Sequence, residues 1–371
     1  MGIRDPHRQV RRLLSIVVLA FGLMGCAASG SLTRDEQLNA LLAQVKSSDD
    51  VPGAILVLDA PGAPYAAAVG LADRDAKTAM DVGSTLRIAS VTKTYVAALA
   101  LKIAQSGALD LDAPVSTYLG EDVLSKLPLG LDPTIRQLLN HTSGIPDYYS
   151  VRFYEEDWNR TQPLTPELVL HAIRGLPATV EAGSGFSYSN TGYHVAALAL
   201  EAAAGKPLGD LLEENIFTPL ELTSTYYGEA FPPGDVIRGY GSPFDDWEAT
   251  YQYRENSGPD GGAFASASDL TTWIRALFAP DGAFNAIGAE MTAAPVRERE
   301  RKLQGMGVEI LTSRSGVQVF GHTGSNDGYL TAAFYVPEAD TVLVLHINRS
   351  DEEAFAYLLS ECLKIIISTA S

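Results

Sequence analysis

Cysteine is nearly absent. The 371 residues contain two, Cys26 and Cys362, too few for a disulfide framework or a Cys-pair metal site. The six histidines, His7, His141, His171, His194, His322 and His346, never fall at His-Glu-x-x-His spacing, so metal chemistry finds no motif. Gly-x-Ser-x-Gly and phosphate-loop patterns are missing too, and no cofactor is called for. Basic charge is scarce: 27 Lys+Arg face 45 Asp+Glu, a formal net charge of −18, and no Lys/Arg run appears after the first dozen residues. That excludes nucleic acid as a partner, because a phosphate backbone needs clustered cations. The 46% hydrophobic content excludes a disordered chain, and the length suggests two subdomains around a sizeable core.

The N-terminus follows its own rule. Arg4, Arg8, Arg11 and Arg12 precede an apolar stretch, Leu13 to Met24, that is too short for the roughly 20 residues a membrane span needs. Residues 1–25 therefore read as an export signal. Leu23-Met-Gly-Cys26 resembles a bacterial lipobox, in which the cysteine is acylated and becomes the mature terminus. The expectation is an exported lipoprotein of a bacterium, periplasmic or at the cell surface, held to a membrane through a lipid on Cys26. Residues 27–33 are small and polar, so 26–33 form a tether. Cys362, in an apolar C-terminal segment, reads as inert core.

Folding is expected to begin with a helix over Arg34 to Lys46, capped by Thr33 with Glu36 completing a capping box. Two strands follow, Gly53 to Asp59 and Tyr65 to Gly70, around the turn-forming Ala60-Pro-Gly-Ala-Pro64. Apolar residues recur at helical period from Val91 to Ser106, with Gly107 as C-terminal cap, which puts Ser90 at a helix N-terminus. Residues 111–300 read as a mostly α-helical domain with long loops; its helical patches are Thr134–Leu139, Pro166–Arg174, Tyr193–Ala204, Asp210–Asn215 and Ala267–Phe278. The end returns to strands at Val317–Gly321, Leu330–Pro337 and Thr341–Asn348, then a closing helix over Glu352–Ser368. The predicted architecture is an α/β fold. An antiparallel sheet from residues 34–110 and 301–371 is flanked by the N- and C-terminal helices and carries the helical domain as an insertion.

Three short motifs carry chemistry. Ser90-Val-Thr-Lys93 sets a hydroxyl and an amine one helical turn apart, where a lysine of lowered pKa can take the serine proton and the NH of Ser90 can face a developing oxyanion. Tyr188-Ser-Asn190, in a Gly-rich segment, supplies a phenol that can act as general acid or base and an amide that can orient the lysine or a substrate. His322-Thr323-Gly324 ends a β-rich run, so an extended acyl substrate can pair along it, with the NH of Ser325 completing an oxyanion hole. Each motif alone is expected about half a time by chance, and all three together about one time in ten. His141 reads as a structural residue tying a loop after a helix. Tyr148, Tyr149, Phe153, Tyr154 and Trp158 read as loop-packing aromatics, with substrate platforms lining a cleft as the alternative.

In order and spacing, Ser90-x-x-Lys93, Tyr188-x-Asn190 and His322-Thr-Gly324 resemble the active-site motifs of the serine β-lactamase and penicillin-binding superfamily. The similarity is to its class C β-lactamase and D-alanyl-D-alanine carboxypeptidase branch. Leu138-Leu-Asn-His-Thr-Ser-Gly-Ile145, Gly261-Gly-Ala-Phe-Ala-Ser-Ala-Ser-Asp-Leu270 and Gly321-His-Thr-Gly-Ser-Asn-Asp-Gly328 look familiar from the same branch. The resemblance implies Ser90 as acylated nucleophile, Lys93 as its proton acceptor and Tyr188 as general acid/base. Asn190, His322, Thr323, Gly324 and Ser325 would contact the substrate. It departs at His322, where many relatives carry lysine: a histidine, with a reference pKa of about 6.5, is a weaker holder of a substrate carboxylate. The expected partner is a small-molecule or peptide substrate: a D-amino-acid peptide, a β-lactam or an ester. The leading expectation is a carboxypeptidase or penicillin-binding type. An esterase, a weak class C-like β-lactamase and a non-catalytic binding protein are the alternatives.

Overall fold

A computed structural model describes residues 32–47, 51–150, 164–228, 237–241 and 258–370. The signal segment 1–25, Cys26 and most of the tether lie outside the described residues, as do Phe153, Tyr154 and Trp158. The elements in chain order begin with α1 (Arg34–Ser47), β1 (Gly53–Asp59), β2 (Tyr65–Asp73), β3 (Thr78–Ala79), β4 (Thr85–Arg87) and α2 (Thr92–Gln105). The middle holds α3 (Glu121–Leu124), α4 (Ile135–Leu139), α5 (Pro166–Ala172), α6 (Asn190–Ala204), α7 (Leu208–Leu212), β5 (Thr225–Tyr226), β6 (Phe264–Ser266), α8 (Ala267–Phe278) and α9 (Asn285–Thr292). The end comprises β7 (Val296–Arg299), β8 (Lys302–Gln304), β9 (Glu309–Thr312), β10 (Gln318–Asn326), β11 (Tyr329–Val336), β12 (Thr341–Ile347) and α10 (Glu352–Thr369).

The main sheet has nine antiparallel strands in the order β3-β2-β1-β12-β11-β10-β9-β8-β7, so the two ends of the chain meet where β1 pairs with β12. Strands β11 and β12 are buried along their whole length because helices cover both faces. Alternation sorts their side chains: Leu330, Ala332 and Phe334 join Leu38 and Leu42 of α1 and Phe355, Leu358 and Cys362 of α10, while Ala333 and Tyr335 face the larger core. Cys362 is buried, as expected of inert core. The Thr33–Glu36 capping box forms, Glu36 N donating to Thr33 Oγ1 at 3.3 Å and Thr33 N to Glu36 Oε2 at 2.8 Å.

The structure departs from the sequence reading in its short elements. A second sheet, β4-β6-β5, has no counterpart in that reading, because strands of two or three residues carry no periodicity. The same holds for β8, and β7 reads Val-Arg-Glu-Arg, a polar edge. The patch at Asp210–Asn215 is instead α7 running into a π-helical turn over Glu213–Phe217. Within 111–300, β7 joins the main sheet and α8 packs on β1, β11 and β12, so that stretch also contributes to the α/β layer.

Helix α2 is buried almost all round, from Thr92 to Leu101, and forms the axis on which both parts close. Gly307 shows how tightly they close. It has φ +66°, and a Cβ there would lie 2.5 Å from the carbonyl oxygen of Lys93 and 2.7 Å from Ala97 Cβ. Gly324 does the same for the strand beside the site, where a Cβ would meet Ile88 O at 2.2 Å. Only a glycine lets β10 run this close to the chain leading into α2.

Candidate active site

Ser90 stands on a single 3-10 turn, Ala89–Val91, between β4 and α2. Ala89 before it has φ +47°, a left-handed conformation costly for a residue with a Cβ. Neighbours hold the turn: Ile88 N donates to Ala263 O at 3.2 Å, and Ala263 N to Thr92 Oγ1 at 3.1 Å. Ala89, Val91 and Lys93 are buried while Ser90 is half-buried, so its hydroxyl is the reachable group.

Lys93 is fully buried, and its amine donates to Ser90 Oγ at 3.0 Å, Asn190 Oδ1 at 2.7 Å and the main-chain oxygen of Asp260 at 2.6 Å. Three acceptors match the three hydrogens of an ammonium. Burial nonetheless pushes the amine down to about 8, against the opposing pull of Asp260, Asp147 and Glu309. About a tenth is therefore free base at pH 7 and about half at pH 8, with a lone pair 3.0 Å from the serine hydroxyl.

Tyr188 OH donates to Ser90 Oγ at 3.1 Å. Burial raises its pKa well above 10, so it is a neutral phenol, suited to donating a proton rather than to removing one first. Local structure aims it. Ser189 caps α6 by accepting from Gly192 N at 3.0 Å, which puts Asn190 in the first turn and Tyr188 just before it. His141, itself at φ +61°, stacks on the Tyr188 ring at 4.1 Å and accepts from Ser189 N at 3.1 Å through Nδ1. Ser187 N donates to His141 O at 2.8 Å. His141 ties a loop, as expected, and the loop it ties carries Tyr188.

Asn190 is oriented from both sides: its Oδ1 accepts from Lys93, and its Nδ2 and main-chain N donate to the two oxygens of Asp147, each at 3.2 Å. On β10, Thr323 Oγ1 donates to Glu309, whose oxygens both lie 3.0 Å away and whose buried charge is met by Lys302 at 2.7 Å. His322 is 1% exposed. Burial pushes it down to about 4 despite the nearby Glu309, so it is neutral at pH 7 and supplies no fixed cation. Gly324 packs on the Ile88–Ala89 backbone, which brings β10 alongside the serine turn. Ser325, exposed near the end of β10, has its hydroxyl on Glu352 Oε1 at 2.7 Å.

The structure thus joins Ser90, Lys93, Tyr188 and Asn190 by direct hydrogen bonds and brings His322–Gly324 beside them. The carboxylates Asp147, Asp260 and Glu309 escape a reading by sequence. Their one signal is the Gly258-Pro-Asp-Gly-Gly262 turn, whose glycines announce a tight approach. Tyr148, expected to be a packing aromatic, is fully buried and donates to Asp260 Oδ2 at 2.8 Å.

A family model described as Beta-lactamase matches residues 38–360. The chain belongs to the Beta-lactamase family. It is 26% identical to penicillin-binding protein 4* of Bacillus subtilis (strain 168) over 318 residues, 81% of this chain and 69% of that one. Esterase EstB of Burkholderia gladioli is 31% identical over 216 residues, 53% of this chain and 52% of the esterase. Among solved structures, the D-amino acid amidase from Ochrobactrum anthropi SV3 complexed with L-phenylalanine amide matches with a TM-score of 0.77 at 25% identity, covering 91% of this chain and 98% of that one. The resemblance read from the three motifs and the α/β fold expected from it both hold, and the chain is a serine hydrolase of this family.

Proposed function

We propose that this Beta-lactamase-family protein is an acyl-transferring hydrolase of the penicillin-binding or carboxypeptidase type, acting on a D-amino-acid-terminated peptide through an acyl-enzyme on Ser90. The observation that carries the reading is the buried Lys93 amine, about 8 in pKa, 3.0 Å from Ser90 Oγ. In the first step Oγ bonds to the scissile carbonyl carbon as its proton passes to Lys93. The tetrahedral oxyanion is met by the NH groups of Ser90 and Ser325. The bond to the leaving group then breaks as Tyr188 protonates it, and the lysine ammonium returns a proton to the phenol. Water repeats the sequence in reverse order to free the acid. Asn190, His322, Thr323 and Gly324 contact the substrate, with β10 offering its backbone to an extended chain. Relatives named penicillin-binding protein and D-amino acid amidase support the substrate class.

A second reading is esterase activity at the same site. His322 is neutral at pH 7 and gives a substrate carboxylate no permanent partner, and the likeness to esterase EstB points the same way. Time-resolved intact mass of the purified protein mixed with a penicillin, an acyl-D-alanyl-D-alanine peptide or a p-nitrophenyl ester separates the two. A persistent penicillin adduct on Ser90 with peptide turnover supports the carboxypeptidase reading; ester turnover alone supports the esterase. A fleeting adduct with opened lactam makes it a β-lactamase, and no Ser90-dependent reaction overturns the proposal. In each productive case kcat/KM is expected to rise with pH through about 8, with no inflection near 6.5 from His322.

We also propose export and lipid anchoring at Cys26, supported by the Arg-rich start and the Leu23-Met-Gly-Cys26 sequence. Cells fed labelled palmitate are expected to label the wild-type chain and not Cys26→Ser; equal labelling of both would refute the anchor.

A further inference from the structure

Behind Lys93 lies a buried polar cluster that the reaction above does not use. Asp260 is 2% exposed in the turn Gly258–Gly262, closed by Gly262 N donating to Gly258 O at 2.8 Å. Its main-chain oxygen takes a hydrogen bond from Lys93 at 2.6 Å, Oδ2 one from Tyr148 OH at 2.8 Å, and Oδ1 lies 3.0 Å from His194 Nε2. His194 is fully buried, and its Nδ1 has no partner among the described residues. His194 lies four positions after Asn190 on α6, so one helix face supports Lys93 twice, directly through the amide and indirectly through Asp260. Tyr148 is tied to the same helix, its N donating to Thr191 Oγ1 at 2.9 Å. Packing leaves no slack: a Cβ on Gly258 would lie 2.6 Å from Asp260 Oδ1 and 2.7 Å from His194 Cε1.

Burying a carboxylate carries a desolvation cost that packing alone does not require. We propose that Asp260, clamped by His194 and Tyr148, is the positioning residue for Lys93: its fixed carbonyl aims the amine at Ser90, and its carboxylate sets a negative charge behind that amine. The proposal rests on the reading of Lys93 as the proton acceptor. The groups facing Lys93 are the carboxylates Asp260, Asp147 and Glu309, the rings of Tyr188 and Tyr193 at 5.1 and 5.3 Å, and the histidines His141 and His322. Burial opposes ionisation of Asp260, but His194, Lys93 and Tyr148 outweigh it, so Asp260 is ionised at neutral pH and favours the ammonium form of Lys93.

A fluorophosphonate probe tests this on the full chain without needing the natural substrate. The Ser90 Oγ–P bond forms, the P–F bond breaks, the serine proton goes to Lys93 and fluoride leaves to solvent. Wild-type labelling is expected to rise with pH around a midpoint near 8. In Asp260→Asn, loss of the charge is expected to lower the midpoint by about half to one pH unit and the plateau rate about tenfold. Asp260→Glu keeps the charge, so its plateau falls while its midpoint stays near that of the wild type. A midpoint that does not move in Asp260→Asn, or moves equally in Asp260→Glu, overturns the proposal. Should Asp260→Asn not fold, Tyr148→Phe serves: it removes one clamp and keeps the charge, so a lower plateau at an unmoved midpoint supports the proposal and an unchanged rate overturns it. A wild-type Ser90 that labels at no pH would instead overturn the nucleophile reading, and this inference with it.

Discussion

Ser90→Ala is expected to lower hydrolysis of any substrate the protein turns over by at least about 10³-fold, with no covalent adduct in intact mass. The size follows from what the substitution removes. Oγ is the atom proposed to form the acyl bond, and it receives hydrogen bonds from Lys93 and Tyr188. Lys93 keeps two of its three acceptors, Asn190 Oδ1 and Asp260 O, so the surrounding geometry survives and stability changes by only about 1 kcal/mol. The loss therefore belongs to kcat and to acylation. Residual turnover within tenfold of the wild type would show that another group is the nucleophile and that the cleft works by some other chemistry.

Lys93→Met is expected to cost as much activity, because it removes the amine proposed to take the serine proton. Tyr188, raised well above 10 by burial, stays protonated across the working range. Stability should respond in a way activity cannot. Burial lowers Lys93 from 10.5 to about 8, an amount equivalent to about 3 kcal/mol against the charged form. Between those two values the unfolded chain holds a proton that the folded chain has released, so folding stability rises with pH across that window. Below 8 both states carry the proton and the burial penalty stands in full; above 10.5 it is gone. Methionine has no such dependence. Thermal melts from pH 7 to 11 should therefore show the wild type gaining on Lys93→Met chiefly between 8 and 10.5, and parallel curves would mean that the amine is not held in a dry site.

Long periodic elements are legible in the amino-acid order. Helix α8 spans Ala267–Phe278, the bounds its apolar spacing predicts, and β1, β11, β12 and α10 fall within a few residues of their expected limits. Each repeats its apolar residues often enough to announce its period, and each buries the face that the period defines. The small β4-β6-β5 sheet is invisible in the sequence because its pairings are non-local and its strands too short to alternate. Asp147 and Glu309 are hidden for a related reason: a single carboxylate in a loop or strand has no pattern, and its meaning comes only from what it meets.

The groups proposed to react are written in the order of residues along the chain. Ser90 with Lys93 one turn on, Tyr188 beside Asn190 and a His-Thr-Gly strand suggest them, because hydroxyl, amine and phenol have few uses in that company. The state in which those groups work comes from packing. Whether Lys93 is an ammonium or a base depends on its burial and on Asp260, 167 residues away in the chain. Whether His322 carries a charge depends on its burial beside Glu309. Proton affinity is set by solvent exclusion and by the charges within a few ångströms, and neither exists until distant segments have packed against one another.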